Sequence, residues 1–453
     1  MELNEVVARG HFWLEDANSA IAGELKYTPK NGTTLYLFGA LEEIPFARSE
    51  VPTRYPFVRG YTETLGWVSL LEAVVTRQQF GTRPTASEIH SNMVIHSSSA
   101  NDFTAVPILK LTAEIDCLHE WVGISGFSHK WSADFMEVEV GFRAPDALRF
   151  DFGDDEVGFV FGRKGPALNA VQKEMTISQS TRVSIAFSKA ATLPASLERL
   201  LAIKDLISLG VGRSLSWKAI GAKFAAVSTE PNGAWASILD RPTGAPCDET
   251  VHPAGMLFAF QDVKHRFHEV LSAWMRIGEE LKPLYTLYSA TTRGQTLYSE
   301  HRLFNFFQAL ESYHRMRFGV NEETTRRANV IREKISASCS TDEKDWVKDK
   351  LQHLGEPSAA ERIRALIEKF DGKWIFAPDW EGAVKRIKNL RNYFTHYSKR
   401  PSAESLDSAS IYNDGSRLQV LCEQILLVEI GFQPSESSSL LQKHCRLQRL
   451  MVS

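Results

Sequence analysis

Cysteine is scarce in this chain of 453 residues: Cys117, Cys247, Cys339, Cys422 and Cys445 lie far apart and form no Cys-x-x-Cys pair. Neither a disulfide framework nor a cysteine-rich zinc site is expected, and free thiols in a reducing compartment are. Long apolar runs are missing too. No stretch reaches the about 18 consecutive apolar residues that a membrane span requires. The opening MELNEVVARGHFWLED carries acids and does not read as a signal peptide, so the expected location is the cytoplasm. Charge of one sign is absent: 52 basic and 55 acidic residues leave a net charge of -3. The chain is no polycation, and any nucleic-acid site must be a local basic patch. Phosphate loops are lacking. Gly210-Val211-Gly212 has no third glycine, and Gly162-Arg163-Lys164-Gly165 does not fit Walker spacing. His265 and His268 form a His-x-x-His without a Glu-x-x-His partner or cysteine pair, so no metal site is expected there. No cofactor is expected.

What is present is enough apolar material for more than one core. The chain is 43% hydrophobic and 24% charged, and its length suggests two or three domains. Residues 1–252 read as strand-rich. Alternating or aliphatic runs recur at Ile21–Tyr27, Thr34–Phe38, Trp67–Thr76, Glu88–His96, Ile108–Ile115, Met136–Phe142 and Thr181–Phe187. Asn31-Gly32 marks a hairpin. Roughly six to ten strands suggest a sandwich or a barrel. One helix, Leu193–Leu209, interrupts them and is expected to end at Gly210. Trp13, Trp67, Trp121 and Trp131 are either core or the lining of a binding surface.

The period changes after Pro253. Residues 253–295 read as a helical connector, helical over 256–289. Residues 296–453 read as an all-α bundle, with helices at 299–318, 322–338, 341–353, 358–370, 380–398 and 415–430. Asp379 is placed to cap the 380–398 helix and Pro401 to help stop it. The serine run Ser435–Ser439 reads as a loop. The fold class is therefore α+β multidomain: a β-rich, sandwich- or barrel-like N-terminal region followed by a helical bundle.

Chemistry concentrates in Gly382–Ser402, GAVKRIKNLRNYFTHYSKRPS, which has six lysines and arginines and no acid. On a helix, Val384, Ile387, Leu390, Phe394 and Tyr397 share an apolar stripe, while Lys388, Asn392 and His396 follow one another at four-residue spacing on the other side. Arg391 flanks that polar face, roughly 140° from His396. The polar groups are thus expected to point outward, to solvent or a second subunit. These residue types suit RNA cleavage without a metal. A histidine can move protons between the 2′-hydroxyl and the leaving 5′-oxygen. A guanidinium can bind the charge of the phosphorane. Asn392 can orient the histidine or donate to a phosphate oxygen. Lys388 is a candidate phosphate contact. One histidine per chain is awkward for acid and base together, and a two-fold dimer would supply two. A solvated basic helix face would have the same composition.

Arg391-Asn392-Tyr393-Phe394-Thr395-His396 resembles the Arg-x(4–6)-His motif of HEPN domains, with the frequent asparagine after the arginine. LFNFFQALESYHRMRFG (303–319) resembles the first helix of the HEPN domain in the ApeA family of bacterial anti-phage proteins, and GHFWLEDANSAIAGELKYTPKNGTTLYLFGAL (10–41) resembles the start of that family's β-rich N-terminal domain. The resemblance implies an abortive-infection effector. It further implies a metal-independent, dimeric or higher-order ribonuclease cutting RNA, with transfer RNA a fitting target. Arg391 and His396 would be catalytic, Asn392 would support them, and the N-terminal region would respond to a phage-derived partner. A related group of HEPN toxins carries a modified tyrosine two places after the histidine. Here Tyr397 follows His396 directly, one place off that pattern.

Two further residues stay open. Glu311 could pair with Arg391 or His396 across the bundle, or with Arg315 one turn along its own helix. Leu303, Phe307, Leu310 and His314 share a face, which makes His314 a satisfied core histidine. The reading in another class is a non-catalytic RNA- or protein-binding dimerisation module.

Overall fold

The computed structural model describes residues 5–15, 19–42, 52–79, 86–99, 106–169, 171–225, 233–241, 251–293, 297–319, 322–351, 354–396 and 406–444. Tyr397, Pro401, Cys247 and Cys445 lie outside these residues. Contacts divide the chain into two compact units, Met1–His268 and Glu269–Ser453.

The first unit begins with a closed barrel. Its strands are β1 (Val6–Trp13), β2 (Ile21–Thr28), β3 (Gly32–Leu37), β4 (Arg54–Thr62), β5 (Gly66–Gln79) and β6 (Ala86–Ser91). They pair antiparallel in the order β5–β4–β1–β2–β3–β6, and β6 returns to β5. Alternation explains the inside. Val6, Ala8 and Phe12 of β1 are buried, as are Leu25 and Tyr27 of β2 and Leu35 and Leu37 of β3. The hairpin expected at Asn31-Gly32 joins β2 to β3, with Gly32 at φ 75°.

β7 (Met93–Ser97) leaves the barrel along β5. The run read as one strand over Glu88–His96 is in fact β6 and β7, separated at Asn92. The sheet then continues through β8 (Ile108–Ile115), β11 (Leu148–Phe152), β12 (Asp155–Asn169), β13 (Glu174–Ala191), β14 (Trp217–Phe224) and β15 (Trp235–Asp240), in the order β7–β15–β14–β8–β13–β12–β11. β9 (Phe127–Trp131) and β10 (Val138–Phe142) form a separate two-stranded ribbon. Fifteen strands among the described residues exceed the six to ten expected.

Two helices close this arm. The short α1 (Leu118–Val122) places Trp121 in the core, edge-on to Phe159, Phe258 and Phe267, with its Nε1 donating to Phe258 O at 2.9 Å. α2 (Leu193–Val211) starts at the Thr192 cap and packs on β8 and β13. It runs past Gly210 to Gly212, which has φ 77°. Gly210 is a contact glycine instead: a Cβ there would meet Trp121 Nε1 and Phe258 O. Trp13 and Trp67 stack edge to face at 6.1 Å and stay half-buried, whereas Trp131 is exposed.

α3 (Phe260–Val263) belongs to the first unit, and the unit boundary falls within α4 (Phe267–Glu280). The segment expected as one connector over 253–295 is shared between the units, because Phe260 and Phe267 pack with Phe150 and Phe159 while α5 (Lys282–Arg293) packs on the next helix. That helix, α6 (Ser299–Phe318), is the axis of the second unit, with Leu303, Phe306, Phe307, Leu310 and Tyr313 buried. α7 (Glu322–Ser338) and α8 (Thr341–Lys350) form a hairpin. α9 (Ala359–Lys369), α10 (Trp380–His396) and α11 (Ser408–Glu429) pack around α6. α12 (Pro434–Lys443) covers α11. It occupies the serine run expected as a loop. Pro434 at its start, the Gln433–Glu436 capping box and buried Leu441 make a helix there.

Candidate active site

Local chemistry fixes α10. Asp379 Oδ1 accepts from Gly382 N at 2.9 Å, the expected N-terminal cap. Ala383, Val384, Ile387 and Leu390 are buried and hold the helix against α6 and α9. The apolar stripe weakens beyond them: Phe394 is only half-buried. Lys388 and Asn392 are half-buried, while Lys385 and His396 are exposed.

The expectation that all polar groups of α10 point outward is corrected at two arginines. Arg386 donates Nε and Nη2 to Asp414 of α11 at 2.8 and 2.6 Å. Asp414 is fully buried, and its carboxylate holds Arg386 firmly in the charged form. Arg391 turns toward α6. Its Nη2 stands 3.4 Å from Glu311 Oε2, its Nη1 donates to Asn392 Oδ1 at 3.2 Å, and its guanidinium lies 5.7 Å from the Phe307 ring centre. The physical reason is length. A helix wheel positions Cβ atoms, but an arginine at the edge of the apolar stripe can lay its stem along that stripe and reach across to a neighbouring helix.

Glu311 meets both partners offered by the sequence. It is buried, with Oε2 toward Arg391 and Oε1 3.6 Å from Arg315 Nη2. These separations are long for charge-assisted bonds, which run near about 2.7–2.9 Å. Glu311 therefore orients Arg391 without saturating it. Arg391 Nε is buried with no partner among the described residues, but the side chain as a whole keeps 23% of its surface exposed, so the outer part of the fork stays open to an oxyanion. Asn392 commits its oxygen to the guanidinium and keeps its NH2 for donation. His396 ends the helix, five residues after Arg391, with its imidazole exposed.

His314 is buried as expected, but its Nδ1 has no hydrogen-bond partner among the described residues. Burial pushes its pKa down, and the Arg362 cation adds to this. Arg362 is itself buried, donating to Pro357 O at 3.1 Å and to Glu356 at 3.0 Å. Sequence reasoning missed Phe307 as the shelf under Arg391, and missed Asp414. An acid at position 414, inside the long buried run of α11, was the available signal for the second. His265 and His268 are exposed, and among the described residues no group of three His, Cys, Asp or Glu side chains is placed to hold a metal ion. No described helix is long and apolar enough to cross a membrane.

A barrel-bearing β unit followed by a helical bundle that presents Arg391, Asn392 and His396 along one helix defines a two-part protein of the HEPN class. The family model for ApeA N-terminal domain 1 matches residues 8–274, and that for the Apea-like HEPN domain matches residues 304–436. The chain belongs to the ApeA family. No curated protein and no solved structure matches it. Membership points to an anti-phage effector built on a HEPN domain, and the HEPN match points to a nuclease as the class of activity.

Proposed function

We propose that the protein is a metal-independent endoribonuclease of abortive infection, acting through Arg391 and His396 in a homodimer and restrained by its N-terminal unit until a phage-derived partner engages. The observation that carries this reading is the state of Arg391: oriented by long contacts to Glu311 and Asn392 yet still partly exposed, five residues before an exposed histidine on the same helix.

In the cleavage step the 2′-hydroxyl attacks the adjacent phosphorus and loses its proton, and the 5′-oxygen leaves with a proton. The products are a 2′,3′-cyclic phosphate and a 5′-hydroxyl. The His396 imidazole carries one of these protons. The Arg391 fork binds the non-bridging oxygens, whose charge is greatest in the phosphorane. The Asn392 NH2 and Lys388 steady the phosphate. A second protomer brings the second His396, so one imidazole serves as base and the other as acid.

The test is incubation of the full-length protein with bulk transfer RNA in excess EDTA, with the phage lysate fraction as activator. Cleavage that survives EDTA and disappears in His396→Ala supports the reading. The non-catalytic platform predicts the opposite pair of results: RNA retained intact by both proteins, with binding weakened by charge reversal at Lys388 in a salt-dependent way. Simple phosphate binding has no use for a histidine at 396, which favours the nuclease. The toxin reading through Tyr397 has no described residue to stand on.

A further inference from the structure

The ribbon of β9 and β10 stands apart from the large sheet, and its two faces differ. The register pairs Phe127 with Phe142, His129 with Val140 and Trp131 with Val138. Because side chains alternate, these six residues lie on one face, and Ser128, Lys130, Glu139 and Gly141 on the other. The apolar face is open. Trp131 is 52% exposed, Val138 48% and Val140 55%. At the tip, Phe135 and Met136 are 73% and 82% exposed. Phe135 has φ 59°, a left-handed conformation that a bulky residue rarely adopts; Ser132 accepts its N–H, and Ser132 and Asp134 tie the turn together.

The base of the ribbon is anchored. Gln179 of β13 accepts from Gly126 N and donates to Ile124 O, both at 2.7 Å, and Arg143 N donates to Gly126 O at 2.9 Å. A two-stranded ribbon is marginal alone. Here it is fixed at one end and uncovered elsewhere, with both long edges unpaired among the described residues. Contiguous exposed apolar surface of this kind marks a site of association.

Charge identifies the occupant. From Asp134 to Glu156 the sequence has eight acids and two arginines. Asp155 is taken by Arg199, and Glu156 lies near Arg149. Asp134, Glu137 and Glu139 of the ribbon remain exposed, with Lys130 opposite Glu139 as the ribbon's one lysine, and so do Asp146, Asp151 and Asp154 beyond it. This surplus repels nucleic acid and anionic membrane alike. It fits cations. The geometry points to the β9–β10 ribbon as a docking site for an extended protein segment that alternates apolar and basic residues and adds as a third strand. Its apolar side chains extend the Phe127–Trp131–Val138 face. Its basic ones fall on the Glu139 side and near the acids of the tip. Main-chain pairing supplies affinity, and the alternation supplies selectivity.

The probe is a fluorescently labelled twelve-residue peptide alternating valine and lysine, compared with one alternating valine and glutamate, in anisotropy titrations of the full-length protein. The wild type is expected to bind the lysine peptide at least about tenfold more tightly than the glutamate peptide. Phe135→Gly, which also relieves the left-handed strain, and Trp131→Ser/Val140→Ser should each weaken the lysine peptide at least about tenfold with unchanged circular dichroism. Glu137→Lys/Glu139→Lys alters only exposed side chains and should reverse the preference. Absence of binding, equal binding of the two peptides, or unchanged affinity in the ribbon variants would overturn the proposal.

Discussion

Glu311 faces Arg391 with one carboxylate oxygen and Arg315 with the other, and its role decides how much of Arg391's position is built in. Glu311→Gln keeps the volume and one hydrogen bond and removes the charge. The expected loss of stability is about 1 kcal/mol, because both contacts are long. The expected loss of RNA cleavage is larger, about tenfold, since the arginine fork is freed to swing. Thermal melts and initial rates measured together separate the two effects. His396→Ala should change stability by less than about 0.5 kcal/mol, because an exposed side chain at a helix end contributes little. It should abolish cleavage. Asp240 offers a pH test independent of the site. Burial pushes its carboxyl up to about 6. A carboxyl raised on folding has no effect on stability below the unfolded value near 4, where it is protonated in both states. Its charge destabilises the fold increasingly from there to pH 6, and fully above. Asp240→Asn should therefore gain up to about 3 kcal/mol over the wild type at pH 8 and nothing at pH 4, read from melts at the two pH values. At this scale the sequence displayed Arg391, Asn392 and His396 through their spacing, and offered Glu311 as a partner. It could not show that Arg391 turns inward, because a periodicity argument places backbone positions and says nothing of where a long side chain ends.

Helices were read well where apolar residues recur at three and four, as in α6, α9 and α10. They were misread where polar residues sit inside them. Ser437 and Ser438 are buried in α12, and Ser438 accepts from Gln424, so a serine run that looked like a loop is a packed helix. Gly210 looked like a helix end, yet its lack of a side chain admits Trp121. Gly210→Ala should destabilise the first unit by about 2 kcal/mol, since the clash is with a core indole and a backbone carbonyl that cannot yield. β12 and β13 were under-read for a different reason. Their outer halves are exposed and lack alternation, so hydrophobic pattern marked only the part of β13 that crosses the core. The junction of α10 and α11 gives a sharper prediction. Asp414→Asn leaves Arg386 without its carboxylate and Arg417 without its neighbour at 3.6 Å. A loss on the order of 3 kcal/mol is expected in denaturant unfolding.

The order of the molecule, strands first and helices after, was legible because the period of the sequence changes near residue 253. The choice between sandwich and barrel was not, since the barrel closes where β6 pairs with β3, Ser91 opposite Thr33 and Ser87 opposite Leu37, and pairing between strands so far apart in sequence leaves no local trace. The whole-molecule claim is that two copies of the Arg391–His396 helix work together and that the β unit restrains them. Two-copy action predicts that specific activity rises with protein concentration and levels off once the dimer is populated. The measurement that tests the central claim most directly is end-mapping of RNA from a bacterial host expressing the wild type or His396→Ala, before and after phage infection. Fragments ending in 2′,3′-cyclic phosphate, present after infection in the wild type and absent in His396→Ala, are the predicted result. Protection retained by His396→Ala with intact RNA would contradict the account.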